Sequence, residues 1–159
     1  MILKGLRDED FTQYKKPSMF VIFPSCSFKC CKEGNFPLET CQNCELVKAK
    51  SIEMSSKQLV DRYISNPITS ALTCGGMEPF DSWEDLKDLI KEFRNKTNDD
   101  CIIYTGFYPE EIQDKIEWLK HFDNVIIKFG RYQPNQTSHF DETLGIQLSS
   151  PNQYARKIS

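Results

Sequence analysis

Short apolar runs alternate with amphipathic stretches along most of the chain. Four runs rich in β-branched, aromatic or other apolar residues predict buried strands over residues 19–23, 70–74, 101–105 and 125–129. Each run is followed within two residues by proline or glycine, which are residues that commonly end a strand.

Between these runs the apolar residues recur at helical spacing, which predicts three helices. The first spans 56–65 and is stopped by Asn66-Pro67, and the second opens at a capping box formed by Ser82 and Asp85. The third begins with Pro109 at its first position. The inward-facing residues are Leu59, Val60, Tyr63 and Ile64, then Leu86, Leu89, Ile90 and Phe93, then Ile112, Ile116 and Leu119.

This order predicts an α/β fold with an open, mostly parallel sheet, because strands that alternate with helices form right-handed βαβ units. Four or five strands are too few for a closed eight-stranded barrel, so a partial (β/α) barrel is expected. The tail from about 132 to 159 is polar and less regular, and 144–148 is expected to add an edge strand. Ligands of such sheets bind beyond the carboxyl ends of the strands.

Composition favours one domain over residues 1–159, with enough apolar content, 39%, for a sizeable core. The net charge of −3 lacks the basic footprint of a nucleic-acid-binding protein, and no apolar run approaches the length that spans a membrane. The first ten residues show no apolar signal-peptide region, so a cytoplasmic location is expected.

Five of the seven cysteines lie between residues 26 and 44, in a loop over 24–45. Clustered thiolates select iron–sulfur clusters or zinc. Cys26, Cys30 and Cys41 suit three corners of a cubane cluster, whereas Cys26 or Cys30 with Cys31, Cys41 and Cys44 suits structural zinc. The cysteines alone leave both open. Cys74 and Cys101 lie inside apolar strands and are expected to be buried small hydrophobic residues.

A glycine-rich turn favours the cluster. Gly75 and Gly76 follow a predicted strand, where the lack of side chains lets the backbone approach a ligand closely. Glu78 offers a carboxylate for an ammonium group, and Pro79 restricts the exit of the turn. A zinc ribbon has no need of such a turn.

The chain at this point resembles the radical S-adenosylmethionine (SAM) superfamily, and within it the small activating enzymes of anaerobic ribonucleoside-triphosphate reductase. The similarity runs from about residue 17 to 154. It is carried by Cys26-Ser-Phe-Lys-Cys30, Cys41-Gln-Asn43, Gly75-Gly76-Met77-Glu78-Pro79-Phe80, Tyr104-Thr-Gly-Phe-Tyr-Pro-Glu-Glu111, Gly130-Arg-Tyr132, Asp141-Glu-Thr-Leu-Gly145 and Ser149-Ser-Pro-Asn-Gln153.

The resemblance implies a [4Fe-4S] cluster held by Cys26, Cys30 and Cys41, with an open iron that takes SAM. The residues that it assigns to the cofactor are Gln42, Asn43, Gly75, Gly76, Met77, Glu78, Pro79 and Thr105. Reductive cleavage of SAM then yields a 5′-deoxyadenosyl radical, which abstracts a glycine hydrogen from the large glycyl-radical subunit of the reductase. The implied electron donor is a small protein such as flavodoxin or ferredoxin.

The chain departs from the family pattern in the spacing of the third cysteine. Ten residues rather than two separate Cys30 from Cys41, so Glu33 stands where the family has a thiolate. Cys41 is the favoured third ligand because Gln42-Asn43 follows it, and Cys31 and Cys44 are alternatives as that ligand or as ligands of a second metal. Thr40 replaces the aromatic residue that often packs on the adenine, and Phe28 or Phe36 are the candidate substitutes.

Two other classes of function remain open at this stage. Within the superfamily, the protein is alternatively an activase of another glycyl-radical enzyme or a small enzyme acting on a free substrate. Outside it, the alternative is a zinc-stabilised interaction module without catalysis. No acid–base constellation accompanies the cysteines, and His121 and His139 are expected at the surface.

Overall fold

The computed structural model describes residues 1–159 and shows the alternation of strands and helices that the pattern predicts. The helices are α1 (Lys29–Gly34), α2 (Ser56–Ile64), α3 (Trp83–Arg94) and α4 (Gln113–Leu119). The strands are β1 (Ile2–Leu3), β2 (Gly5–Asp10), β3 (Ser18–Phe23), β4 (Ile52–Glu53), β5 (Ala71–Gly76), β6 (Asp100–Tyr104), β7 (Val125–Phe129), β8 (His139–Asp141), β9 (Ile146–Leu148) and β10 (Tyr154–Lys157). No helix has both the length and the apolar character needed to cross a bilayer.

Six strands form the main sheet in the order β10-β7-β6-β5-β3-β2. The four central strands are parallel, and β2 and β10 close the two edges in antiparallel orientation. The remaining strands form two small antiparallel pairs, β1 with β4 and β8 with β9. The fold is therefore α/β with a mixed sheet, and its description as a partial barrel stays a prediction.

The two faces of the sheet have different coverings because side chains alternate along each strand. Met19, Val21 and Phe23 of β3 point to the face covered by the helices, within a core of 23 buried residues. Cys74 and Cys101 belong to the same core, which confirms their prediction as buried residues. The opposite face carries a smaller apolar cluster beneath the β8–β9 hairpin and then opens into a cavity at the carboxyl ends of the strands.

Three local predictions need correction. Ser82 does not cap α3 with its side chain, because its hydroxyl pairs with the Ser25 hydroxyl at 2.9 Å and a 3-10 turn, Pro79–Ser82, leads into the helix. The helix expected from Pro109 begins as a 3-10 turn, Pro109–Glu111, and becomes α-helical only at Gln113. The expected edge strand at 144–148 pairs with β8 instead, and β10 takes the edge.

Gly130 connects the end of β7 to the C-terminal tail. Its φ of +101° lies in a region that side chains rarely adopt, and a Cβ atom there would lie 2.6 Å from the carbonyl oxygen of Asn152. The close approach of the two backbones depends on the missing side chain. Gly130 therefore positions the tail against the residues that follow β7.

We expect Gly130→Ala to destabilise the protein by at least about 1–2 kcal/mol, because alanine meets both backbone strain and the Asn152 carbonyl. Urea denaturation measures this loss. Gly5→Ala is the matched control, since Gly5 has no positive φ. The atom nearest to a Cβ added there is the terminal Cδ1 of Ile22 at 3.2 Å. Equal stability of the two variants would contradict the requirement for glycine at position 130.

Candidate metal centre

Loops from four adjacent parallel strands meet at one edge of the sheet and surround a cavity of about 530 Å³. The cysteine loop follows β3, the glycine turn ends β5, Thr105-Gly106 follows β6, and Gly130-Arg131 follows β7. Cys26, Cys30 and Cys41 all line this cavity. The path of the cysteine loop thus brings together three thiols that are up to fifteen positions apart in the chain.

Cys26 and Cys30 lie on the first turn of the cysteine loop. Phe28 adopts a left-handed φ of 54° between them, and its amide donates to Cys26 Sγ at 3.3 Å. Burial raises the pKa of Cys26 to about 12. Burial also raises the pKa of Cys30, and the Tyr132 amide and the charges of Arg131 and Lys128 oppose that rise. Burial therefore favours the neutral form of both thiols, and a positive partner favours the thiolate.

Cys41 is the only other cysteine that lines the cavity. Cys31 is buried outside the cavity lining, and its pKa is raised by burial and by the neighbouring sulfurs of Cys41 and Cys30. Cys44 turns its sulfur toward the Glu39 carbonyl at 3.8 Å and the Glu45 carboxylate at 3.9 Å. The geometry favours Cys41 over Cys31 and Cys44 as the third ligand.

Most of the residues assigned to the cofactor line the same cavity, namely Gln42, Asn43, Gly76, Met77, Glu78 and Thr105. Gly75 and Pro79 do not belong to the lining. A Cβ atom on Gly75 would lie 3.0 Å from the Phe20 ring and 3.1 Å from Tyr104 Cβ, so this glycine lies behind two lining side chains. Pro79 is buried and begins the 3-10 turn that leaves the site.

Glu78 is a buried carboxylate that joins two loops. Its Oε1 atom accepts from the Thr105 hydroxyl at 2.8 Å and the Phe80 amide at 3.2 Å, and its Oε2 atom accepts from the Gly106 amide at 2.9 Å. Burial raises the pKa of Glu78 to about 7, although these three donors oppose the rise. The carboxylate thus holds the β5 turn against the β6 turn and also faces the cavity, where it suits a cation.

The residues inserted between Cys30 and Cys41 fold into α1 and a 3-10 turn, Leu38–Thr40, that returns the chain to the cavity. Beyond them, Leu46 packs against the glycine turn. Its Cδ1 atom is 3.3 Å from the position that a Cβ atom on Gly76 would take. Phe28 lines the cavity, whereas Phe36 packs edge-on against Tyr132 with ring centroids 6.4 Å apart. Of the two aromatic residues named from the sequence, only Phe28 lines the cavity.

Arg131 fastens the cysteine loop to the sheet. Its guanidinium donates to both oxygens of Glu33 on α1 at 2.7 and 2.8 Å and to both oxygens of Glu111 at 2.7 Å. It also donates to the Gly106 carbonyl at 2.5 Å. These ion pairs hold the pKa of Glu111 down to about 2. Glu33, which stands where the resemblance expects a thiolate, therefore has a structural partner.

Sequence reasoning missed Arg131 and Lys128. Lys128 also lines the cavity, and it is 7% exposed. A signal for it was present, because lysine is almost never fully buried without a partner and this one interrupts the apolar run 125–129. Arg131 was marked only as part of the segment Gly130-Arg-Tyr132, without a role, because its partners are 20 and 98 positions away in the chain.

The donor set fits an iron–sulfur cluster. Three soft thiol ligands surround the cavity, with space beyond them. No three His, Cys, Asp or Glu side chains converge closely enough to bind a single metal ion. A cubane cluster binds each cysteine through a different iron atom, so it matches thiols that are spread around a cavity.

Comparison with protein families relates the chain to an iron–sulfur family. The family described as "4Fe-4S single cluster domain" matches residues 18–154, which cover most of the chain. No curated protein matches the chain. No solved structure matches it either.

We expect Cys26→Ala, Cys30→Ala and Cys41→Ala each to abolish cluster binding, because each removes a thiol that lines the cavity. Cys31→Ala and Cys44→Ala should keep it. Anaerobic reconstitution with iron and sulfide, followed by iron analysis and visible absorbance, measures this. Loss of the cluster in Cys44→Ala but not in Cys41→Ala would overturn the ligand choice, and stoichiometric zinc in the purified protein would point to the zinc site.

We expect Arg131→Met to lower the free energy of unfolding, because it removes the guanidinium that joins Glu33 to Glu111 and leaves Lys29 as the cation beside Glu111. The variant should also reconstitute less cluster, since α1 carries Cys30. Arg156→Met is the control, because Arg156 is exposed and lies over the Phe129 ring, 5.6 Å from its centroid. A stable Arg131→Met protein with a full cluster would contradict the positioning role.

Proposed function

The chain belongs to the family of 4Fe-4S single cluster domains, and from that membership we propose that it is a radical SAM activating enzyme. Its proposed task is to cleave SAM reductively and to generate a glycyl radical on anaerobic ribonucleoside-triphosphate reductase. An iron–sulfur role follows from the family. The proposal adds the second cofactor, the reaction and the partner.

One observation carries the proposal of SAM as the second cofactor. The three cysteines share their cavity with the turn residues Gly76, Met77 and Glu78, although the two segments are more than thirty positions apart. A cluster that serves only electron transfer needs its ligands and a dry environment. A site that also places a carboxylate and a glycine turn beside the thiols suits a small charged ligand bound next to the cluster.

The residues of the cavity divide the task of binding such a ligand. The Glu78 carboxylate offers a negative charge for an ammonium group, and Gly76 leaves its backbone accessible because it carries no side chain. Phe28 presents an aromatic ring for a purine. When bound, the cluster would supply the electron that cleaves SAM, while these residues orient the cofactor and exclude water.

A macromolecular substrate is proposed because the cavity lies at the edge of the six-stranded sheet, where the loops after the parallel strands meet. A flexible glycine-containing loop of a large enzyme suits such a site, because the surface of the partner would then cover the cavity. The choice of the reductase as partner rests on the resemblance of residues 130–153 to the C-terminal stretch of its activases.

We expect the reconstituted protein, reduced with dithionite in the absence of oxygen, to convert SAM to 5′-deoxyadenosine and methionine. Liquid chromatography of the quenched reaction measures both products. Cys26→Ala is the negative control, because it removes a cluster ligand. A fully loaded, reduced cluster that leaves SAM intact would refute the enzyme and leave the iron–sulfur role standing.

The partner is tested separately by electron paramagnetic resonance. Mixing the reduced protein and SAM with an anaerobic ribonucleotide reductase should produce a glycyl-radical doublet on the large subunit. SAM cleavage with no radical on that enzyme, but with one on a different glycyl-radical enzyme, would reassign the partner and keep the chemistry.

A further inference from the structure

Lys128 is a buried lysine at the end of a central strand. Alternation along β7 turns Val125, Ile127 and Phe129 toward the helices, and it turns Ile126 and Lys128 toward the opposite face. Ile126 joins the small apolar cluster there, and Lys128, two residues further along, lines the cavity. The strand therefore delivers an ammonium group into the same space as the three cysteines.

This ammonium group has no ion-pair partner in the protein. Its only hydrogen bond goes to the Gly130 carbonyl at 3.2 Å, and no carboxylate lies within 4.0 Å of it. Burial lowers the pKa of Lys128 to about 8, while Cys30 and Glu78 oppose that change. Since an unpaired buried charge is costly, an anion that the protein alone does not supply is expected beside it.

The candidate for that anion is a cluster on Cys30, because Cys30 and Lys128 line the same cavity and the charge of Cys30 acts on the pKa of Lys128. Glu78 is the carboxylate whose charge also acts on this pKa. The Cys30 sulfur and the Glu78 Oε2 atom both lie beside Gly106, at 3.1 and 3.7 Å from the position that a Cβ atom would take there. Glu78 is already bound by three donors. The other cation that faces Cys30 is Arg131, and its charge is balanced by Glu33 and Glu111. Lys128 is thus the cation near Cys30 whose charge no carboxylate balances.

We propose that Lys128 is the counter-charge of the iron–sulfur cluster and that it raises the reduction potential of the cluster. The proposal rests on the cluster binding that the family match supports, and it is independent of SAM. Three thiolates leave the cluster with a net negative charge, and reduction adds one more. A nearby fixed cation stabilises the reduced form more than the oxidised form, and net charge is one of the factors that set the potential.

The test compares Lys128→Met with Lys128→Arg in the reconstituted full-length protein without SAM. Redox titration monitored by electron paramagnetic resonance gives the fraction of cluster reduced at each applied potential. In Lys128→Met the ratio of reduced to oxidised cluster at a given potential should fall at least about tenfold, equal to about 59 mV for one electron. Lys128→Arg should stay near the parent, and so should Lys120→Met, which removes an exposed lysine paired with Glu117.

A second measurement separates a charge effect from a folding defect. Cluster-free Lys128→Met should resist urea at least as well as the parent, because the substitution removes a buried unpaired charge. If it folds but holds no cluster while Lys128→Arg does, the cluster needs the positive charge, which also supports the proposal.

Two results would overturn the proposal. One is an equal fall of the reduction potential in Lys128→Met and Lys128→Arg. The other is an unchanged potential in Lys128→Met, and weaker SAM binding by that variant would then assign Lys128 to an anionic group of the ligand. If the parent protein itself binds no cluster, the iron–sulfur role fails, and this outcome is distinguishable from both.

Discussion

The ion-pair network around Arg131 is the constraint on which the site depends. The cysteine loop leaves the sheet after β3 and has no strand of its own to fix it over the cavity. Arg131 lies beyond β7 and reaches Glu33 on this loop, Glu111 beyond β6 and the Gly106 carbonyl. A guanidinium group suits this position because its five donors lie in one rigid plane and can serve two carboxylates at once. The loop that carries Cys30 follows β3 and is thereby held by a residue that follows β7, at the other end of the four parallel strands.

This network also explains how the chain tolerates its unusual cysteine spacing. Glu33 stands where the resemblance expects a thiolate, and it binds Arg131 rather than a metal. The residues that follow form a short helix and a 3-10 turn, which bring Cys41 back to the cavity. The insertion is therefore an ordered segment, and its helix α1 contributes to the stability of the site through Glu33. Leu46 then packs near Gly76, so the returning segment also contacts the glycine turn.

The cavity carries charges that the protein core would not tolerate for stability alone. Glu78 and Lys128 are both buried on the face of the sheet opposite the helices, and no ion pair joins them. The helical face of the same strands is almost wholly apolar. Buried charges that lower stability are typical of functional sites, because a bound cofactor restores the balance. The apolar face beneath the helices therefore stabilises the fold, and the opposite face carries the charged groups of the site.

Local patterns in the sequence determined the order of the strands and helices, the cluster of cysteines and the glycine turn, because each depends on residues within a few positions of one another. The match of residues 18–154 to an iron–sulfur family agrees with the interpretation of the cysteines. The Ser82 capping box failed because the Ser25 hydroxyl, 57 positions away, binds the serine that was expected to cap. The local motif is present in the sequence, but a tertiary contact occupies the hydroxyl that would form the cap.

Only the tertiary structure decided which cysteines face the cavity and which charges surround them. The sequence favoured Cys41 over Cys31 and Cys44 only through the family resemblance, and the path of the loop places Cys41 alone of these three on the cavity. The partnership of Glu33 with Arg131 joins residues 98 positions apart, and no local pattern records such a pair. Lys128 could be placed in a strand from its neighbours, but the face to which it points depends on the register of β7 against β6. Side-chain direction in a sheet follows from pairing, and pairing is a property of the whole fold.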